Sequence, residues 1–295
     1  LGVYNNFYTL GSLAEYSYSD LQVITAKAID LGKELSTLDL KNKSEILKEQ
    51  TSSKPNQSFK FGSFKISADI DDQVFLIAEI GLSHNGSVEN CKNLILAAYK
   101  AGFNAAKIQT YDEGRISKKT RTSRYYEESL EQEESISDFL DKIIFSKNEL
   151  REIFDYSKKL NIELFSTPFD KNSVDLLEMF KVSGYKISSM DIVNLPLIDY
   201  VSRKGKAIIL STGMAKLGEI ESAIEICLKN GNNNIAVLHC VSSYPCPIEY
   251  INLKKISQIA KTFNVVSGLS DHTKEIETPS LAIVSGARII EKHIT

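Results

Sequence analysis

Two lysines stand where a charge is costly. Lys107 and Lys186 lie inside the otherwise apolar runs AAKIQ and YKIS, and an ammonium group buried there without a partner would be expensive. Each therefore needs an anion. Glu79 or Asp191 could supply an internal salt bridge. A ligand phosphate or carboxylate could serve instead, and two lysines with the hydroxyls of Ser166, Thr167, Ser189 and Ser211 would bind such a group well; this second arrangement is the favoured one. Histidine is scarce and its placement is informative: His84, His239, His272 and His293 all follow short apolar runs. His272 and His293 are expected at the ends of neighbouring strands. There they are either structural imidazoles or a pair sharing a divalent cation, whose other positions water and substrate oxygens would fill. His239, between Leu238 and Cys240, reads as a hydrogen-bonded wall of the same site. No H-x-H follows the first strand, and no G-x-G-x-x-G or P-loop occurs.

These groups are far apart in sequence, so an architecture has to gather them. From Val74 onward, short β-rich runs alternate with longer segments of helical period, the signature of repeated βα units. Eight runs read as strands: VFLIAE from Val74, NAAKIQ from Asn104, IELFS from Ile162, YKIS from Tyr185, AIILS from Ala207, IAVLHC from Ile235, NVVSG from Asn264 and ARIIE from Ala287. Amphipathic segments such as SVENCKNLILAAYKAG and SKNELREIFDYSKKL lie between them, with Gly102 and Gly231 as stop signals. Apolar strands followed by amphipathic helices require a parallel sheet covered by helices. Eight such units predict an α/β fold, a closed (β/α)8 TIM barrel. The chain stops at Thr295, just beyond the eighth strand, so the barrel is expected to be truncated, without its last helix. In such a barrel the C-terminal strand ends converge on one mouth. Here they carry Glu79; Lys107 and Gln109; Ser166 and Thr167; Lys186 and Ser189; Ser211 and Thr212; His239 and Ser242; Asp271 and His272; Glu291 and His293.

The 295 residues carry 35 Lys+Arg against 38 Asp+Glu, a net charge of −3. With a pI near 5.9, that balance argues against nucleic acid as a partner but leaves small anions open. No run of about 18 apolar residues is present, so no membrane span is expected. The opening from Leu1 has no signal-peptide pattern, which predicts a cytoplasmic protein. Cys91, Cys227, Cys240 and Cys246 are scattered and read as buried, reduced thiols. SFKFGSFKIS, around Gly62, predicts a hairpin that could plug the bottom of the barrel. Residues 1–57 form an N-terminal extension of unknown role, with a helix expected from Ser19 and a second, charged helix; residues 58–295 form the barrel domain. The insert from Tyr111 to Ser146 is a solvated loop or a substrate lid.

Together, IAEIGLSHNG, AAKIQT, FSTPFD, YKISSMDIVNLPLI, IILSTGMA, LHCVSSYPCP, GLSDHT and EKHIT resemble the sialic acid synthase family, the phosphoenolpyruvate-condensing nonulosonate synthases. The likeness runs in order from about Phe59 to Thr295. It implies a metal-dependent transferase that joins phosphoenolpyruvate to an N-acetylated aldose such as N-acetylmannosamine, releasing phosphate and a nine-carbon acid. By motif, Lys107, Thr167, Lys186, Ser189, Ser211 and Ser242 would hold phosphoenolpyruvate. His272 and His293 would ligate Mn²⁺ or Mg²⁺, Glu79 and Gln109 would lie beside the reacting centre, and Asp191 and Tyr244 would face the sugar.

The chain departs from the family pattern in two places. Ser242 stands where the sialic acid branch usually has Asn, and S-S-M-D at Ser188–Asp191 shortens an acidic side chain. The related branches take diacetamido-trideoxyhexoses to legionaminic or pseudaminic acid, and His239 tilts the choice towards neuraminic or legionaminic acid. The family also carries a C-terminal antifreeze-like domain that completes the partner's sugar site in a homodimer. Without it, this chain is expected to bind metal and phosphoenolpyruvate but to turn over poorly. Two other readings compete: a condenser of an aldose phosphate, using Arg115, Arg121 and Arg124, and a non-catalytic barrel.

Overall fold

The computed structural model of the protein describes residues 53–111, 124–127, 132–135 and 142–295. The helices expected upstream of residue 53 and most of the 111–146 insert lie outside these residues. Residues from Pro55 onward form one compact unit.

This unit opens with the expected hairpin. β1 (Ser58–Phe61) and β2 (Phe64–Ser67) pair antiparallel across Gly62. The apolar side of the hairpin seats Phe61, fully buried, with its ring 5.3 Å from that of Phe75 and 4.8 Å from that of Phe165. Both partners sit in the N-terminal halves of their strands, so the hairpin closes the bottom of the barrel. Gly184 accommodates it, because a Cβ there would lie 2.4 Å from the Phe61 ring.

Six further strands precede the second half of the molecule: β3 (Phe75–Gly81), β4 (Ala105–Thr110), β5 (Arg124–Glu127), β6 (Gln132–Ser135), β7 (Glu163–Pro168) and β8 (Gly184–Ile187). The second half adds β9 (Ala207–Ser211), β10 (Ile235–Cys240), β11 (Val266–Asp271) and β12 (Ile289–His293). β5 and β6 form a small antiparallel pair within the insert. The other eight close a parallel barrel in the order β3-β4-β7-β8-β9-β10-β11-β12, the architecture that the periodicity predicts. Local chemistry sets the ends of its strands. The seventh barrel strand was expected from Asn264, but that residue takes a left-handed conformation (φ 52°) as the cap of the preceding helix. Extension therefore starts two residues later and runs on to Asp271, which brings Ser270 into the sheet.

The helices cover the outside of the sheet: α1 (Val88–Lys100), α2 (Lys147–Leu160), α3 (Lys171–Phe180), α4 (Leu195–Ser202), α5 (Leu217–Lys229), α6 (Lys254–Phe263) and α7 (Thr278–Val284). Their starts follow capping chemistry. Ser87 accepts from the Asn90 amide, Ser146 and Glu149 form a capping box, and Asp170 accepts from Ser173. Gly102 and Gly231 turn the chain with φ of 81° and 74°, as expected of stop signals. All four cysteines are free and buried, and burial pushes the Cys91 and Cys227 thiols up to about 12. No helix of the described residues is long and apolar enough to cross a membrane.

Candidate active site

Four buried charges organise the mouth of the barrel: Lys107 on β4, Lys186 on β8, Glu79 on β3 and Glu291 on β12. Lys107 contacts Glu79 directly and lies 3.7 Å from Glu291 Oε2, while Lys186 lies 3.6 Å from Glu291 Oε1. β8 and β12 are four positions apart in a ring of eight and so form opposite walls. Their contact therefore crosses the interior, and Glu291 becomes the hub that both lysines share. Ser270 donates to Glu291 Oε1 at 2.7 Å, Lys107 donates to Thr167 Oγ1 at 3.1 Å, and Lys186 donates to Ser211 Oγ at 2.6 Å. The internal salt bridge with Glu79, the less favoured of the two arrangements weighed from the sequence, is present at Lys107, and Glu291 joins it. Asp191 is engaged elsewhere, accepting from the Ser188 hydroxyl at 2.7 Å and the Asn194 amide at 3.3 Å within its own turn.

The compensation of charge is uneven. At Lys107 burial works against the ammonium, but Glu291 and Glu79 outweigh it and hold the group above its ordinary value. At Lys186 burial prevails over Glu291, aided by the neighbouring Lys107 charge, and pulls the ammonium below its ordinary value. The two carboxylates separate in the same field. Burial lifts Glu79 to about 7 despite Lys107. Glu291 is also penalised by burial, yet Lys107, Lys186 and the Ser270 hydrogen bond bring it down to about 2. Lys186 is thus the cation left short of negative charge.

Around this cluster the strand ends bring further groups together. β3 shifts register against β4 between Glu79 and Gly81, an irregularity of the kind that re-aims a side chain. A Cβ placed on Gly81 would lie 3.0 Å from Glu79 Oε1, 3.6 Å from His293 Cε1 and 3.8 Å from Gln109 Nε2, so these three side chains surround one point. On the opposite side Gly213 has φ 47°, and a Cβ there would lie 2.4 Å from Ser189 Cβ and 2.8 Å from Ser242 Oγ. Only glycine permits that approach, which sets two hydroxyls beside an open stretch of backbone.

His272 and His293 meet at the mouth with ring centroids 5.5 Å apart. His272 Nδ1 lies 2.7 Å from the Val241 carbonyl, which can only accept, so Nδ1 carries a proton and Nε2, 3.5 Å from Ser270 Oγ, is the ring atom that would bind a metal. Burial, with the His272 and Lys107 charges, drives His293 down to about 4 and keeps it neutral. Two imidazoles meeting at a strand-end mouth are a pair that could hold a divalent ion. Among the described residues no group of three or more His, Cys, Asp or Glu could hold a metal ion; a divalent ion on the histidine pair would need its other positions filled by water or substrate oxygens. The Tyr244 ring lies 4.0 Å from that of His272 and stands edge-on to that of His293 at 5.9 Å.

Residues 94–295, the stretch that carries all of this chemistry except Glu79 and Gly81, match the NeuB family model. The chain belongs to the NeuB family. NeuB relatives among curated proteins include the N,N'-diacetyllegionaminic acid synthase of Campylobacter jejuni, 38% identical over 76% of this chain and 68% of that protein. The pseudaminic acid synthase of Helicobacter pylori is 34% identical over 74% and 64%. Among solved structures, the N-acetylneuraminic acid synthetase of Leptospira borgpetersenii, in complex with citrate, superposes with a TM-score of 0.71. It is 35% identical, over 82% of this chain and 79% of that one. The chain spans 60–68% of the length of the first curated relatives it matches.

Within this NeuB barrel, two sequence expectations need correction. His239 does not wall the mouth. Cys240 takes the inward position on β10, lying 3.3 Å from Ser189 Oγ and 4.0 Å from His272 Nδ1, so its neighbour His239 faces the other way and bonds the Ile251 carbonyl at 2.6 Å. Ser166 is likewise on the outer face of β7, bonded to Thr110 and to the Ile108 carbonyl, and cannot serve as an anion-binding hydroxyl. Glu291 and Ser270 carry more of the cluster than the sequence suggested. Their spacing from His293 and His272 was the available signal, since residues two apart share a strand face. Arg115, Arg121 and the side chain of Arg124 lie outside the described residues.

Proposed function

We propose that this chain carries the barrel of a phosphoenolpyruvate-condensing nonulosonic acid synthase, joining phosphoenolpyruvate to an N-acetylated amino-sugar aldehyde. The observation that supports this best is the buried Lys186, bonded to Ser211, whose one carboxylate partner among the described residues, Glu291, is shared with Lys107. An anion bound there supplies the charge that Glu291, shared with Lys107, does not. In this reading Lys107 and Lys186 neutralise the phosphate and carboxylate of phosphoenolpyruvate, and Thr167, Ser189, Ser211 and Ser242 orient them. The barrel domain expected at residues 58–295, whose compact unit starts at Pro55, is the synthase domain, and the protein works as a homodimer in the cytoplasm.

The enol carbon of phosphoenolpyruvate forms the new bond to the aldehyde carbon, and the aldehyde oxygen takes up a proton. Water adds to C2 and gives up one proton, matching the one taken by the aldehyde oxygen; the C2–O bond to phosphate then breaks, the remaining hydroxyl proton leaves with inorganic phosphate, and C2 becomes a ketone. Glu79 is placed to move protons in these steps, because it retains a proton close to neutral pH beside Gln109 and His293. Gln109 donates to an acceptor oxygen at the reacting centre. Asp191 and Tyr244 border the sugar. A divalent ion, Mn²⁺ or Mg²⁺, held by His272 and His293 supplies Lewis acidity to the aldehyde oxygen when bound.

The family relatives include synthases of both legionaminic and pseudaminic acids, so the sugar is decided by experiment. Phosphoenolpyruvate and Mn²⁺ are incubated with N-acetylmannosamine or either of two diacetamido-trideoxyhexoses, and products are detected by mass. A nine-carbon acid from one of them, with release of phosphate, is the expected result. Product only from a phosphorylated aldose would replace this reading with that of an aldose-phosphate condenser.

A further inference from the structure

Gln109 sits at the reacting centre, and its two amide ends do different things. Its Oε1 accepts from the Tyr111 hydroxyl at 2.5 Å, while its Nε2 is the end nearest the point shared with Glu79 and His293. Tyr111 immediately follows β4, and its ring stacks on Phe169, which immediately follows β7, at 4.4 Å and an interplanar angle of 5°. Phe169 is buried, so the phenol is held by a ring contact that bridges two adjacent strand ends. A planar amide has one acceptor end and one donor end. With the carbonyl on the phenolic O–H, the NH₂ group faces the mouth.

We infer that Tyr111 is a positioning residue that locks Gln109 as a hydrogen-bond donor, so that the substrate atom it meets is an acceptor oxygen of phosphate, carboxylate or aldehyde. The inference rests on the function proposed above for the site. It differs from that reading in naming a residue that touches no substrate, and it gives Gln109 one polarity. Without the phenolic hydroxyl, the amide can turn its carbonyl towards the anionic substrate, which repels it.

Tyr111→Phe tests the idea because it keeps the stacked ring and removes only the hydroxyl. Four forms of the full 295-residue chain are compared: wild type, Tyr111→Phe, Gln109→Ala and the double variant. Two readouts are used, phosphoenolpyruvate affinity by calorimetry and the Gln109 side-chain amide signal by NMR, assigned through its loss in Gln109→Ala. The expected result is a roughly 3–10-fold loss of affinity in Tyr111→Phe, the size of one neutral hydrogen bond, and a displaced, broadened Gln109 signal. In the Gln109→Ala background the tyrosine substitution is expected to cost nothing further. An equal loss in both backgrounds, or an unchanged Gln109 signal, overturns the positioning role. A wild-type chain that binds no phosphoenolpyruvate overturns the proposed function instead, and the NMR signal still decides the role of Tyr111.

Discussion

Glu79 behaves as an acid whose proton is held by its surroundings, and that gives the site a signature in stability as well as in chemistry. Its pKa is raised from 4.5 to about 7, chiefly by burial. Below pH 4.5 the group is protonated in both folded and unfolded chains and contributes nothing. Between 4.5 and 7 only the unfolded chain ionises, so stability falls as pH rises, and above 7 the penalty is constant. Glu79→Gln removes this penalty. Relative to wild type the variant is expected to be more stable at pH 8 than at pH 4.5, by on the order of 3 kcal/mol at about 1.4 kcal/mol per pKa unit. Urea unfolding at the two pH values measures it; a pH-independent difference would mean that Glu79 titrates normally. The sequence exposed this residue and both lysines, because charges inside apolar runs stand out. It could not show that Glu291 is the shared partner, since that depends on β8 and β12 being opposite walls of the barrel. Nor could it tell His239 from Cys240: IAVLHC is buried on both faces, so it has no polar alternation to mark which side is inward.

At the scale of elements, the mouth depends on turns as much as on strands. Gly213, with φ 47° and no room for a Cβ against Ser189, joins the end of β9 to the cradle. Gly213→Ala adds backbone strain of about 1 kcal/mol and pushes on Ser189. It is expected to weaken phosphoenolpyruvate binding about 10-fold or more while lowering the unfolding midpoint by only a few degrees. Calorimetry and thermal unfolding on the same sample separate the two, and unchanged affinity would remove the cradle from the binding site. All eight barrel strands were legible from apolar runs between amphipathic segments, as was the hairpin. Their ends were less so, because caps such as Asn264 and the irregularity at Glu79–Gly81 follow from local backbone geometry that periodicity does not encode.

For the whole molecule, the barrel separates stability from chemistry by placing them at opposite ends. Phe61 plugs the bottom and the charged cluster fills the mouth. Phe61→Ala is expected to cost about 3–5 kcal/mol of stability, as large-to-small core changes do, yet to leave phosphoenolpyruvate affinity at 25 °C within about twofold as long as the chain remains folded. Denaturant unfolding alongside calorimetry checks both halves. A parallel loss of affinity would show that the two ends are coupled.

In the proposed function, Lys186 is the cation that a substrate anion completes. Calorimetric titration of phosphoenolpyruvate into wild type and Lys186→Met, with circular dichroism to verify folding, addresses it directly. Wild type is expected to bind, and the folded variant to lose affinity by about 100-fold or more, the scale of a buried charge-assisted contact. Equal binding by both forms would contradict the assignment of this cluster as the phosphoenolpyruvate site.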